Sequence, residues 1–120
     1  MPLVLPGRLN ARREVIERTF AEAGLSLNLA AEAVTVSSEF SAVRSGAGST
    51  IFNLGDMAGF SLDDFAEPVL IEPTFYLTCC LIWSNEAPLT LAAEGVKMLL
   101  INFMKDRIQK AHRPGALWLD

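Results

Sequence analysis

Histidine is almost absent from this chain of 120 residues, since His112 is the only one. Cysteine occurs twice, as the neighbours Cys79 and Cys80. The chain therefore lacks CxxC and HExxH ligand sets for a metal ion, and its only Cys/His pairing would need a histidine beyond the last predicted helix. Buried strand thiols and a solvated histidine are the expectation. These absences predict a protein that is not an enzyme and holds no metal or cofactor.

Long apolar runs and targeting signals are also lacking. The most apolar stretch, 96–104, is interrupted by a lysine and an asparagine and is too short to span a bilayer. The segment from Met1 to Pro6 is too short for a secretory signal and has no charged start. Because adjacent strand residues point to opposite faces, no disulfide is expected between Cys79 and Cys80. These features predict a cytoplasmic protein without membrane contact.

Basic residues are few and scattered. Ten lysines and arginines stand against fourteen acidic residues, which gives a net charge of −4 and an isoelectric point near 4.9. Only Arg12 and Arg13 are adjacent, so no basic stripe is available to bind nucleic acid. The hydrophobic content of 51% indicates a folded chain, and its length suits one domain with a modest core.

Strand and helix patterns alternate along the chain, which predicts an α/β fold. In chain order we predict a strand at 3–5, a helix at 11–23 capped by Asn10, a strand at 27–34, a short helix that begins at Ser37 or Ser38, a strand at 49–52, strands at 69–72 and 74–83, and a helix from Thr90 to Ala111. Turns are expected at 55–59 and 85–88.

The helix at 11–23 has an amphipathic pattern. Its predicted buried stripe consists of Val15, Ile16, Phe20 and Ala23. Its predicted outward face carries Arg12, Arg13, Glu17 and Glu22. Gly24 is expected to follow the helix because glycine readily adopts positive φ.

The segment 34–54 is the most informative. Ser37 and Ser38 stand where a side-chain oxygen caps a helix, and Gly46 with Gly48 is expected to end that helix. Helix starts and strand ends are where open α/β sheets bind ligands. The Gly46-Ala47-Gly48 turn lacks the remaining residues of a P-loop or dinucleotide motif. A tight helix-to-strand corner is therefore favoured over a direct anion cradle.

Five short motifs, in the same order and at similar spacing, resemble the effector-binding domain of LysR-type transcriptional regulators. They are Leu3 to Arg8 with Arg12-Arg13 (the opening strand and helix of the second subdomain), Phe20 to Ser26 (FxxAGLSP), Ala42 to Ile51 (VxxGxGxxILP), Ile71-Glu72-Pro73 (I-x-E-P), and Pro88-Leu89-Thr90 with Ala92-Ala93 (PLSxAA). The nitrogen-assimilation-control branch is the most similar. One departure is Asn53, which stands where the family has proline.

The resemblance implies a periplasmic-binding-protein-like (type 2) effector domain with three α/β/α layers. Residues 1–111 correspond to the second subdomain together with the C-terminal strand and helix of the first, and 112–120 to a tail. The family's winged helix-turn-helix, its linker helix and the first half of its effector domain have no counterpart in these 120 residues. The domain is therefore expected to be incomplete.

The function implied by the resemblance is the binding of a small anionic effector to modulate transcription. Ser37, Ser38, Phe52 and Asn53 are expected to line the effector cleft, with Arg8 at its rim to pair with a carboxylate. DNA contact is expected only through a helix-turn-helix domain outside these residues. A solvated loop arginine is the alternative for Arg8, and a simple helix cap is the alternative for the serines.

The last helix favours a second hypothesis. Val96, Leu99, Leu100, Phe103 and Met104 make one apolar face, and Met98, Ile101 and Ile108 lie outside it. A helix that is apolar on most sides is expected to be buried on most sides. The chain offers few elements to cover it, so we expect either a truncated product or self-association into a dimer or larger oligomer. In the second case the chain would be a structural module that binds neither ligand nor DNA.

Overall fold

A computed structural model of the chain describes residues 1–53, 61, 63–66, 69, 71–110 and 116–119. The chain divides into two units, and each is described by itself. The first unit comprises the described residues of Met1–Phe52 and Gly59–Cys79, and the second those of Asn53–Ala58 and Cys80–Asp120. The predicted turn at 55–59 and the lone His112 lie outside the described residues.

The first unit contains two strands and two helices that alternate. In chain order they are β1 (Leu3–Pro6), α1 (Ala11–Glu22), β2 (Leu29–Ala33) and α2 (Val36–Arg44). Together with α3 (Leu91–Lys110) of the second unit, the described residues form three helices and one two-stranded parallel sheet. The α/β class predicted from the sequence is confirmed at this level, as a small mixed α/β structure.

Strand β1 lies between two parallel neighbours. On one side it pairs with β2, from Leu3 opposite Leu29 to Pro6 opposite Ala33, with one irregularity after Leu3. On the other side the 49–51 segment meets it at a single parallel bridge, where the Val4 N–H donates to the Ser49 carbonyl at 2.8 Å. The three segments therefore end at the same edge of the sheet. In open α/β sheets, ligands bind at this carboxyl edge, where successive connections turn in opposite directions.

The core of the first unit is small. Leu3, Leu5 and Ile16 are fully buried, and four partly buried side chains pack against them, namely Phe20, Leu27, Ile51 and Phe75. From α1, Ile16 is buried in this core and Phe20 packs against it, as the helical pattern predicts. Ala23 is exposed beyond the end of α1, so the predicted stripe is one residue too long.

The start of α1 and the C-terminal ends of both helices agree with the sequence-based predictions. The Asn10 side chain caps α1 and accepts a hydrogen bond from the Arg12 N–H at 2.9 Å. Gly24 and Gly46 follow α1 and α2 with φ of 68° and 85°. Glycine is favoured at both positions because a Cβ atom makes this left-handed conformation costly.

The sequence predicts that Gly48 helps to end α2. In the structure, this glycine is needed for a different reason. A Cβ atom on Gly48 would lie 2.7 Å from the Pro2 carbonyl oxygen. The same oxygen accepts a hydrogen bond from the Ser49 N–H at 3.0 Å. The glycine therefore lets the 49–51 segment approach the start of β1 closely enough to pair with it.

We expect Gly48→Ala to lower the free energy of unfolding by about 1–3 kcal/mol, because the backbone at Pro2 must move to accept the methyl group. Urea unfolding followed by circular dichroism measures this. Gly7→Ala is the matched control, since nothing lies within 4 Å of its added Cβ. Equal stability of the two variants would show that the close approach is unimportant.

The predicted strands at 69–72 and 74–83 are not formed among the described residues of this stretch. Cys79 and Cys80 are both free and exposed rather than buried. A strand needs a neighbour to satisfy its backbone N–H and C=O groups.

The second unit is built on α3 (Leu91–Lys110). The Thr90 hydroxyl oxygen accepts a hydrogen bond from the Ala93 N–H at 3.2 Å, as expected for a helix cap. A hydrogen bond and ion pair with Asp106 raises the pKa of Lys110 above its ordinary value. None of the twenty residues of α3, all of which are described, is buried. Within the described ranges, no helix combines the length and apolar character needed to cross a membrane.

Candidate functional site

The start of α2 lies just beyond the carboxyl end of β2. Thr35, not Ser37 or Ser38, is the N-cap, because its extended backbone (φ −126°) lets its hydroxyl reach the third helical residue. The Thr35 Oγ1 accepts from the Ser38 N–H at 3.1 Å, and the Ser38 hydroxyl accepts from the Thr35 N–H at 3.1 Å. The two side chains form a capping box. The sequence-based position of the cap is therefore wrong by two or three residues.

The capping box separates the roles of the two serines. The Ser38 hydroxyl also donates to the Thr35 carbonyl at 2.8 Å, so it is engaged within the helix start. Ser37 is exposed, and its side chain makes no hydrogen bond to any residue that the structure describes. Its N–H belongs to the first turn, where backbone donors have no partner inside the helix. Ser37 is therefore the serine that is available to a ligand.

The other predicted site residues differ in their surroundings. Arg8 is exposed, follows the end of β1 by two residues, and forms no ion pair with the described part of the chain. Phe52 is half-buried directly after the 49–51 segment. Asn53 is half-buried and is assigned to the second unit. The first unit thus places Arg8, Ser37 and Phe52 beyond the carboxyl ends of its three parallel segments.

A buried ion pair that was not predicted from the sequence lies at this edge. Glu39 is only 1% exposed. One of its carboxylate oxygens pairs with the Arg12 guanidinium, and the other accepts a hydrogen bond from the Thr50 hydroxyl. The Arg12 Nη1 also donates to the Ile51 carbonyl at 3.0 Å. The arginine therefore joins the start of α1 to α2 and to the 49–51 segment.

The ring of Phe52 packs against this ion pair. The Arg12 guanidinium lies over the ring, 4.2 Å from its centroid. The ring of Phe40 lies beside it, with a centroid separation of 4.9 Å and a tilt of 53°. Such stacking combines cation–π attraction with apolar contact. The guanidinium thus occupies one face of Phe52, the aromatic side chain expected to contact the effector.

The prediction that Arg12 and Arg13 face outward is wrong. The Arg12 side chain is 14% exposed. Arg13 is 2% exposed, and its guanidinium donates to Glu17 Oε1 at 2.7 Å and to the Pro6 carbonyl at 3.3 Å. A second carboxylate, Glu32 of β2, lies 3.6 Å from Arg13. Both arginines lie in the first turn of α1, where long side chains reach back across the strand ends.

One sequence signal could have revealed the ion pair. Glu39 stands next to Phe40 and one helical turn before Val43, so its carboxylate lies beside the apolar side of α2. Carboxylates are almost never fully buried unless they are paired. The adjacent arginines of α1 are the candidate partners that the sequence offers.

The charges at this edge follow from these contacts. Glu39 neutralises Arg12, whereas Arg8 and the unpaired N–H groups of the α2 start keep their positive character. A helix N-terminus carries the positive end of the helix dipole, about half an elementary charge. This arrangement suits a small anion. In the described ranges, no group of three or more His, Cys, Asp and Glu side chains is placed to hold a metal ion.

The second unit has an open cleft of about 470 Å³. Trp83, Asn85 and Glu94 are among its lining residues. Lys97 pairs with Glu94 at 2.8 Å and lies over the Trp83 ring, 4.8 Å from its centroid. The cleft contains none of the residues predicted to bind the effector.

No protein-family model matches this chain, and no curated protein or solved structure is significantly similar to it.

Proposed function

We propose that this chain is the effector-sensing portion of a LysR-type transcriptional regulator. In this proposal it binds a small anionic metabolite in the cytoplasm and acts on DNA through a separate helix-turn-helix domain. The five ordered motifs of the sequence support the family. The observation that supports the binding role is the exposed start of α2, where Ser37 has no partner among the described residues, at the carboxyl edge of parallel segments.

The chemistry of this edge favours an anionic ligand. The Val36 and Ser37 N–H groups, which the capping box leaves open, and the Ser37 hydroxyl are hydrogen-bond donors. A helix start binds carboxylate or phosphate groups well. Arg8 follows the neighbouring β1 and can pair with a carboxylate as the ligand enters. Phe52 contributes an apolar ring.

Ligand binding would act on transcription through a change in conformation. In a two-subdomain effector domain, the ligand binds between the subdomains and stabilises one relative arrangement of them. That arrangement determines how the protomers, and the DNA-binding domains attached to them, are spaced on the operator. The reading frame upstream of Met1 gives an independent test. A winged helix-turn-helix encoded there supports the proposal, and an unrelated neighbouring gene contradicts it.

We expect Ser37→Ala to weaken anion binding about ten- to a hundred-fold, because it removes one hydrogen bond to a charged ligand. Succinate titration of the ¹⁵N-labelled chain, followed by amide chemical shifts, measures the change. Ser41→Ala is the matched control, since Ser41 is an exposed serine one turn later in α2. Equal affinities for the two variants would remove Ser37 from the site.

The alternative function, a self-association module, is favoured by the exposed surface of α3. Leu99, Phe103 and Met104 expose 72%, 59% and 45% of their surface. Isolated exposed apolar residues are ordinary, but a continuous apolar helix face indicates an interaction surface. The occupant that we expect is a second copy of this chain.

We accordingly predict a dimer or larger oligomer at micromolar concentration, with Leu99, Phe103 or Met104 near the interface. Light scattering after size exclusion measures the mass directly. A Phe103→Lys variant is expected to shift the population towards the monomer, since an interface disfavours an unpaired charge. A mass equal to one chain across the micromolar range would contradict the prediction.

A further inference from the structure

The apolar face of α3 has a groove near one end and an exposed aromatic ring near the other. The groove has a volume of about 160 Å³ and lies between the 81–83 segment and α3. Its apolar lining residues include Leu81, Val96 and Leu100. Phe103 lies about one helical turn beyond Leu100 and is 59% exposed. A surface with a ring at one end and a groove at the other is complementary to its own copy when the two meet in opposite directions.

The charges along the second unit favour the same arrangement. Residues 84–94 carry two acids, Glu86 and Glu94, and no lysine or arginine. The last turns of α3, residues 105–110, carry three cations and one acid, which leaves a charge of +2. Parallel helices would bring two such cationic ends together, whereas antiparallel helices place each cationic end near the acidic end of the partner. Opposite charges across an interface favour one orientation, and like charges disfavour the other.

A different side of α3 is partly covered by the chain itself. Lys97 lies over the Trp83 ring, 4.8 Å from its centroid, and Lys105 lies 5.2 Å from the centroid of the Trp118 ring. Because residues three or four apart share one side of a helix, these two lysines mark a single stripe. The half-buried residues of this stripe are Lys97, Ile101, Lys105 and Ile108. The apolar face lies outside the stripe and is exposed.

We propose that two copies of this chain associate through antiparallel α3 helices, with the Phe103 ring of each copy in the groove of the other. This inference rests on the alternative function, self-association, and adds the geometry of the interface. Two-fold symmetry then places Leu100 near the axis, and Val96 of one copy opposite Met104 of the other. An aromatic ring seated in an apolar groove is typical of the residues that contribute most to an interface.

Disulfide cross-linking of single cysteines tests this geometry in the full chain, with Cys79→Ser and Cys80→Ser to remove the two exposed native thiols. We expect Leu100→Cys to form a covalent dimer on oxidation with copper phenanthroline, because residue 100 lies near the axis. Lys110→Cys is the matched control. Antiparallel helices place its two copies about 30 Å apart, whereas a disulfide needs Cα atoms within about 7 Å. Parallel helices would cross-link at both positions.

Neutralising the cationic end gives a second test. Arg107→Gln with Lys110→Gln is expected to raise the dimer Kd about three- to tenfold, because each antiparallel contact loses charge attraction. The same change would lower the Kd of a parallel dimer, since it removes repulsion. Sedimentation equilibrium measures the Kd. Arg18→Gln with Arg44→Gln is the control, because both arginines are exposed in the first unit and their loss should leave the Kd unchanged.

The outcomes separate the interface from self-association itself. A wild-type chain that stays monomeric at micromolar concentration would overturn both. In a chain that does dimerise, cross-linking of Lys110→Cys, or its absence in Leu100→Cys, would overturn only the antiparallel interface. Neutralisation of the cationic end that fails to weaken the dimer would have the same consequence.

Discussion

Glu39→Ala is expected to lower the free energy of unfolding of the first unit by about 3–5 kcal/mol, the usual cost of removing one partner from a buried ion pair. The change would leave the Arg12 guanidinium, 14% exposed, without its carboxylate. It would also leave the Thr50 hydroxyl without its acceptor. Because a single hydrophobic core as small as this one rarely supplies more than about 3–5 kcal/mol, we expect this variant to be largely unfolded at 25 °C.

Asp64→Ala is the control for this prediction. Asp64 pairs with Arg44 at 3.2 Å, and both side chains are about half exposed. Exposed pairs contribute about 0.2–1 kcal/mol, so this variant should remain folded. Circular dichroism with urea unfolding compares the two. If Glu39→Ala is as stable as Asp64→Ala, the ion pair does not hold α2 in place.

Ile16→Ala is expected to cost about 2–5 kcal/mol, because it removes a fully buried side chain and leaves a cavity. Ile16 is 1% exposed and joins α1 to Leu3 and Leu5 of β1. The core is so small that few neighbouring side chains can close the cavity. Urea unfolding followed by far-ultraviolet circular dichroism measures the loss.

Leu9→Ala is the matched control for the core prediction. Leu9 is fully exposed in the turn before α1, so its truncation should change stability by less than about 0.5 kcal/mol. A loss at Ile16 that is no larger than at Leu9 would mean that α1 is held by contacts other than this core.

Local features of the fold were predictable from the sequence because they depend on neighbouring residues. The Asn10 cap, the positive φ of Gly24 and Gly46, and the apolar position of Ile16 each follow from side-chain chemistry within one or two turns. The start of α2 was less certain. A hydroxyl side chain that can cap a helix is found at Thr35, Ser37 and Ser38. The extended backbone of Thr35 makes it the cap.

Features that depend on residues distant in the chain could not be predicted from the sequence in the same way. The ion pair joins residues 27 positions apart, and no periodicity in α1 indicates that Arg12 turns inward. The stretch 74–83 has a strong strand pattern, yet its described residues form no strand. Strand propensity mainly reflects how well side chains pack against neighbours, and this stretch has no strand beside it among the described residues.

The candidate site was partly predictable. The rule that ligands bind at helix starts and strand ends identifies the edge with Ser37 and Phe52. It does not distinguish Ser37 from Ser38, because that distinction depends on the capping box with Thr35. It also does not reveal that the Phe52 ring is covered by Arg12.

The measurement that tests the central claim most directly is a sodium sulfate titration of the wild-type ¹⁵N-labelled chain, with sodium chloride at equal ionic strength as the reference. The account predicts saturable amide shifts at residues 36–38 in sulfate that chloride does not produce. Equal responses to the two salts, or shifts spread evenly along the chain, would contradict an anion site at the start of α2.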